Sequence, residues 1–258
     1  MNASSTHWRR NSLMVQPRIW SDTDIGNGRS ENQDCIYANS DIGLLILADG
    51  IGGHNGGKVA SQRLVFNLAE ILEGALPDRD DGDANSLARF LAATITEQNR
   101  LMFDQAAEDP RLNGMGCTLV LVVLIGEDAL IANIGDSRCY HYRAGRLLQI
   151  TTDHSLIQAQ VDSGVLTEEE AAAGFGKNML MRAVGVASKV EADFFRISLN
   201  PGDWLVTCSD GMLQCHDAKA LEMLVGEAVR SEDPAVFLVQ AAVRAGTTDN
   251  VSVQVMAI

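Results

Sequence analysis

No run of apolar residues in this chain approaches the roughly 18 needed to cross a bilayer. The longest, Leu119 to Ile125, has the length of a core strand. No C-x-x-C pair occurs among the five cysteines, Cys35, Cys117, Cys139, Cys208 and Cys215. Odd in number and scattered, they provide neither a disulfide framework nor a zinc signature, and they favour a reducing compartment. Positive charge is scarce: 20 lysines and arginines stand against 34 aspartates and glutamates, a net charge of −14. That balance argues against nucleic acid, whose phosphates would be repelled. Bound divalent cations would offset a little of it. No linker, repeat or low-complexity segment divides the 258 residues, 46% of them hydrophobic, so the chain reads as one domain with an ample core. Arg9-Arg10 faintly suggests a twin-arginine signal, but Gln16, Pro17 and Arg18 interrupt the apolar region it would need. Residues 1–17 read as a mobile N-terminal arm and 18–258 as the domain. A soluble cytoplasmic monomer, without membrane association, is the expectation.

What the chain does have is concentrated at Leu44 to Lys58, Leu-Leu-Ile-Leu-Ala-Asp-Gly-Ile-Gly-Gly-His-Asn-Gly-Gly-Lys. A short apolar run, the shape of a buried strand, delivers Asp49 into a glycine-rich turn, and a helical pattern follows from Lys58. A phosphate cradle, a metal site and a tight turn all fit. Gly52 to Lys58 satisfies G-x-x-x-x-G-K, but Val59 stands where the P-loop needs a hydroxyl for Mg²⁺. The dinucleotide pattern fails as well, because Asn55 falls where its third glycine would sit.

On either side the pattern is mixed. Ile19 to Ile25 and Cys35 to Ala38 read as strands around a polar bend carrying Arg29 and Asp34. Val59, Ala60, Leu64, Leu68 and Leu72 mark one helix face. The acidic loop Pro77 to Asn85 invites calcium, but Gly82 sits at the wrong offset for an EF-hand. Ser86 is the expected cap of a second helix reaching Ala107, with Leu87, Phe90, Leu91, Ile95 and Met102 inward. Thr118 to Ile125 and Ala129 to Ile134 read as a hairpin, and more strands follow without helices between them, which argues against a doubly wound parallel sheet. Asp153 to Asn178 reads as an insertion packed on the body, with a helix at Leu156 to Val161 and a capping box at Thr167. Strands return at Asp193 to Ser198 and Trp204 to Cys208. Two helices, the second capped by Asp233 with Pro234 first, precede a terminal strand from Val251.

Asp49, Asp136, Asp210 and Asp249 each sit in a bend at a strand end, with Asp34 in a similar bend. Carboxylates gathered at one sheet edge would repel unless cations held them, and oxygen-only ligation selects Mg²⁺ or Mn²⁺. Taken singly, each aspartate could merely close a turn. In order, however, Arg29-x-x-Asn32-Gln33-Asp34, Ala48-Asp49-Gly50-x-Gly52-Gly53, Gly116-Cys117-Thr118, Gly135-Asp136-Ser137-Arg138, Asn178 to Gly185, Ser209-Asp210-Gly211 and Asp249-Asn250 resemble the bacterial, single-domain form of the type 2C, metal-dependent (PPM) serine/threonine protein phosphatases.

That resemblance implies an α+β, four-layer α-β-β-α sandwich, two antiparallel sheets flanked by helix pairs, with a small flap at about 153–190. It implies Arg29 and Asp34 as catalytic residues, Arg29 gripping the phosphate and Asp34 holding metal-bound waters. Asp49, the Gly50 carbonyl, Asp210 and Asp249 would hold two Mn²⁺ or Mg²⁺ ions, and Asp136 with Asp210 a third. The implied reaction is direct attack of a metal-bridging hydroxide on phosphoserine or phosphothreonine in proteins, reversing a cognate serine/threonine kinase in bacterial signalling. Two alternatives are a silent phosphoprotein-binding module of the same fold and a phosphatase of small phosphomonoesters. Gln33 replaces a glutamate that many members direct at a metal, and Ile51 replaces the histidine proposed as general acid in animal enzymes. His54 or a metal-bound water could supply that proton.

Overall fold

Alternation along one strand builds two cores at once. In β5 (Leu119–Ile125), Leu119, Leu121, Val123 and Ile125 face a layer of helices, whereas Val120, Val122 and Leu124 face a second sheet. Side chains on a strand alternate between faces, so a strand covered on both sides reads as an unbroken apolar run. The structure, a computed structural model, describes residues 16–52, 56–78, 83–167, 170–171 and 179–258.

One sheet has the order β2 (Asp34–Asn39), β3 (Leu44–Ile51), β5, β6 (Asp128–Ile134), β9 (Asp193–Ser198), with the two-residue β4 (Gly116–Cys117) added beside the end of β3. The other runs β1 (Arg18–Asp24), β11 (Val251–Ala257), β10 (Trp204–Cys208), β7 (Arg138–Arg143), β8 (Arg146–Gln149). Every pairing is antiparallel. Helices α1 (Gly56–Ala75) and α2 (Ala84–Glu108) cover the first sheet through Leu64, Leu68, Leu72, Leu91 and Ile95. Helices α4 (Ala218–Ala228) and α5 (Pro234–Ala245) cover the second through Leu221, Val225, Leu238 and Val239. Between the sheets lie Leu45, Val120, Val122, Ile131, Leu205 and Met256. This is the expected α+β four-layer sandwich. The inter-sheet layer also takes polar groups: Gln254 of β11 donates to the Tyr37 carbonyl of β2 at 2.8 Å, linking the two sheets.

Several boundaries differ from the sequence expectation. The α2 cap is Asp83, whose carboxylate accepts from the Asn85 and Ser86 amides, so Ser86 lies inside the helix. A longer acid one turn earlier reaches the open amides first. Helix α1 starts at Gly56, before Lys58. Pro17, assigned to the arm, is buried, and Gln16 donates to Asp41. Beyond the insertion expected at 153–178, the chain returns to the core: Ala183, Val184 and Val190 are buried, and Val184 exchanges backbone hydrogen bonds with Cys117. Within the insertion, α3 (Leu156–Asp162) forms as expected, capped by Ser155, and Thr167 and Glu170 make the reciprocal bonds of a capping box. Arm residues 1–15, Gly53, His54, residues 79–82 of the acidic loop and Asn178 lie outside the described residues.

Candidate active site

Asp34 opens β2 and stands directly opposite Asp49 of β3 in the ladder. Like charges directly opposite one another in an antiparallel pair are destabilising, so this register needs a proton or a cation between them. Asp49 is not at the strand end, as expected from its glycine-rich sequel. Gly116 and Cys117 give β3 a further partner, and the strand continues to Ile51. The Asp49 amide and carbonyl are both held by Thr118, through its hydroxyl and its N–H, and that hydroxyl also bonds Ser137. Gly50 tolerates no side chain, since a Cβ would come within 2.3 Å of the Gly57 carbonyl and 2.7 Å of that of Gln33. This is the reason for the glycines: they let helix α1 start against the strand backbone.

The remaining acids arrive from elsewhere in the chain. Asp136 lies in the bend by which the chain leaves β6 in one sheet for β7 in the other. Asp210 follows β10 in a single 3₁₀ turn, and Asp249 precedes β11. Ser209 and Ser252 clasp these two strand ends: the Ser209 hydroxyl donates to Asp34 at 2.8 Å and accepts the Ser252 amide. Arg29 grips Asp249 with both arms, Nε to Oδ1 at 2.6 Å and Nη2 to Oδ2 at 2.7 Å.

These residues enclose a cleft of about 210 Å³ whose walls include Arg29, Gln33, Asp49, Gly50, Asp136, Asp210 and Asp249, with Asp34 behind Asp49. Four carboxylates face one guanidinium across it. Burial, then the neighbouring Asp34, Asp210, Asp136 and Asp249, pushes the Asp49 carboxyl well above the ordinary range. Burial followed by Asp136, Asp249 and Asp34 lifts Asp210 to about 7. Burial and Asp153 lift Asp136 to about 6. Asp34 is raised by burial against hydrogen bonds from Ser252 and Ser209 and a proton shared with Asp49. Oδ1 of Asp34 and Oδ1 of Asp210 are buried with no hydrogen-bond donor among the described residues. Orphaned carboxylate oxygens of this kind mark a place where something positive is wanted. All the donors are oxygens, the set that suits a hard divalent cation, so the residues fit Mg²⁺ or Mn²⁺. Among the described residues no three acidic, His or Cys side chains already close on one point as a cage. In this arrangement the Arg29 fork is paired with both oxygens of Asp249.

Arg29, Asp34, Asp49, Gly50, Asp136, Asp210 and Asp249 thus come together in one place, whereas His54 lies outside the described residues. The model of the family described as protein phosphatase 2C matches residues 25–252. The chain belongs to that family. A serine/threonine phosphatase of Listeria innocua is 35% identical to this family member over 90% of the chain and 92% of its own length. The serine/threonine phosphatase PstP/Ppp of Mycobacterium tuberculosis superposes with a TM-score of 0.84 at 34% identity, covering 95% of this chain and 99% of that one. The PstP catalytic domain in complex with two manganese ions superposes at 0.78, again with 34% identity, over 93% and 97%.

Sequence reasoning underused three wall residues of this 2C-type cleft. Thr118 and Asn250 were noted only as parts of motifs, although each holds backbone around an acid. Leu180, which also lines the cleft, carried no signal, since a lone leucine in an irregular segment looks like any other. Ile51 lines the cleft where animal enzymes place a histidine.

Proposed function

We propose that this chain is a Mn²⁺- or Mg²⁺-dependent protein serine/threonine phosphatase, and that its cleft residues carry the roles implied by the family. The observation that carries the site assignment is the convergence of Asp34, Asp49, Asp136, Asp210 and Asp249 with Arg29 around one cleft. Asp49, the Gly50 carbonyl, Asp210 and Asp249 would hold two cations, Asp136 with Asp210 a third, and Asp34 would orient water beside them. Divalent cations bound there supply the Lewis acidity that makes water a nucleophile at neutral pH and offsets charge on the phosphoryl oxygens.

The chain's own groups supply the rest. Arg29 is half exposed at the cleft rim, and its planar fork matches two phosphoryl oxygens as well as it matches a carboxylate. Thr118 fixes the backbone on both sides of Asp49, so that carboxylate enters the cleft at a set angle. Gln33 adds a neutral amide where a glutamate would add charge. In the reaction a water oxygen joins phosphorus as the bond to the serine or threonine oxygen breaks, and that oxygen takes up a proton. Cysteine nucleophiles are not needed. Burial pushes the Cys35 thiol up to about 11 and Cys208 to about 12, which keeps both protonated.

We extend the reading to the cytoplasm, to a cognate serine/threonine kinase as opponent, and to the single chain as the active unit. Reduced, mostly buried cysteines suit that compartment, and the five aspartates and Arg29 that the reading requires all lie in this one sequence. The deciding experiment is hydrolysis of p-nitrophenyl phosphate with and without Mn²⁺, beside Asp49→Asn and Asp210→Asn. The wild type should be active only with metal, and both variants should fall by at least about 100-fold, the scale of losing a transition-state contact. Equal activity of all three proteins would refute the assignment. A phosphothreonine peptide preferred over a small phosphomonoester completes the claim.

A further inference from the structure

The loop at residues 25–33 carries Arg29 and Gln33, yet it contains no regular structure apart from its own turn. Something must hold it. Its backbone lies directly on residues 247–249: a Cβ on Gly26 would stand 1.9 Å from the Asp249 carbonyl oxygen, and one on Gly28 would stand 2.5 Å from that of Thr248. Backbone contact this close supplies position along the surface but no direction. Direction comes from hydrogen bonds: the Asn27 N–H donates to the Thr247 carbonyl at 3.0 Å and its Nδ2 to the Val243 carbonyl at 2.9 Å, and one buried side chain reaches both ends of the loop. Asn250, 4% exposed, accepts the Gln33 amide on Oδ1 at 2.8 Å and donates from Nδ2 to the Ile25 carbonyl at 2.9 Å and the Glu31 carbonyl at 3.0 Å. Its own backbone N–H holds Asp249 Oδ1 at 2.9 Å.

A primary amide is the one side chain that can do this, since it presents one acceptor and two donors in a single plane. An aspartate would set carboxylate oxygens against two carbonyls, and a leucine would take the side-chain partner from three part-buried backbone groups. The three bonds fall at the start, near the end and at the end of the loop, with Arg29 between them. The loop is also tied on its far side, where Lys58 pairs with Glu31 at 2.6 Å and the Ser61 hydroxyl bonds the Gln33 carbonyl. Those ties belong to helix α1, whereas Asn250 belongs to the strand that Asp249 leads into.

We propose that Asn250 is the positioning residue that sets Arg29 relative to Asp249, so that the phosphate-gripping arm and a metal-holding carboxylate share one mechanical reference. This rests on the phosphatase reading above. Asn250 stands in the cleft wall, but all three of its side-chain amide bonds go to loop backbone, so it acts through the loop. Misplacing a positioned group by about 1 Å can cost on the order of 100-fold in rate.

The test is a double-mutant cycle on kcat/KM for a phosphothreonine peptide at saturating Mn²⁺, using Asn250→Ala, Arg29→Ala and the double variant. Asn250→Ala should lose about 10- to 100-fold. In the Arg29→Ala background the same change should cost less than about 3-fold, because there is no arm left to position. Losses that multiply in the double variant, or wild-type kinetics for Asn250→Ala, would overturn the proposal. Should Asn250→Ala not fold, Asn250→Asp retains the acceptor for Gln33, loses both donors, and is run through the same cycle. Hydrogen exchange supplies a readout independent of turnover: amides of residues 25–33 should lose protection in the variant while those of β11 retain it. Unchanged protection of the loop defeats the proposal by itself. An inactive wild type, or an Asp49→Asn variant as active as the wild type, defeats the phosphatase reading instead.

Discussion

A carboxyl that is both buried and ringed by others is costly to ionise, and that cost sets a pH signature for this cleft. Asp210 is held up to about 7 and Asp136 to about 6, against 3.8 in an unfolded chain. In both cases the folded protein keeps the proton longer than the unfolded one. Their contribution to stability is therefore fully present below about pH 4 and is lost as pH rises through 6 to 7. Asp203 works in another window. Burial pushes it up, but the Arg143 fork, the Asn200 amide and His141 win and hold it at about 2, so its contribution is lost only as pH falls below about 4. Divalent cations bind the deprotonated carboxylates, so the stabilisation they add grows across the interval in which protons leave. Thermal melts in EDTA should show Tm falling from pH 5 to pH 7.5, and the gain from Mn²⁺ should be larger at pH 7.5 than at pH 5. A Mn²⁺ gain independent of pH would show that these carboxyls do not hold the metal.

Elements were the most legible scale where local chemistry decides them. Asp233 accepts the Val236 amide at 3.0 Å with Pro234 in the first turn, as the sequence indicated, and α5 ends on Gly246 in the left-handed region. Asp233→Ala should cost about 1 kcal/mol, within the 0.5–2 usual for a lost N-cap, read as a shift in the urea midpoint at unchanged slope. Elements were misread where a distant segment intervened. The glycine-rich sequel of Asp49 looked like a turn, because nothing within ten residues shows that Gly116 and Cys117 will pair with Gly50 and Ile51. The cap of α2 moved to Asp83 for a local reason, and comparing the two candidates' reach would have found it.

At the scale of the molecule, three apolar layers hold two sheets and their helices in register, and the cleft lies where strands of both sheets end. Leu205 is fully buried in the layer between the sheets, among Val120, Ile131 and Met256. Leu205→Ala should destabilise by about 2–5 kcal/mol in urea unfolding, the range for a leucine removed from a packed core. A cost under about 1 kcal/mol would mean that the sheets close over the gap, a looser sandwich than this packing describes.

The order of strands and helices, the apolar runs of β3 and β5, the starts of α3 and α5 and the aspartates themselves were determined by the sequence alone. Each depends on neighbours a few residues away, and the order of the motifs was enough to name the family. Which groups meet was decided only by the tertiary structure. Asp34 faces Asp49 because of strand register, and Asp136 reaches Asp210 because β6 and β7 belong to different sheets. Arg29 closes on Asp249, 220 residues away, because a loop without structure of its own is pinned by Asn250. Such contacts arise from packing between distant segments, and spacing along a chain carries no record of them.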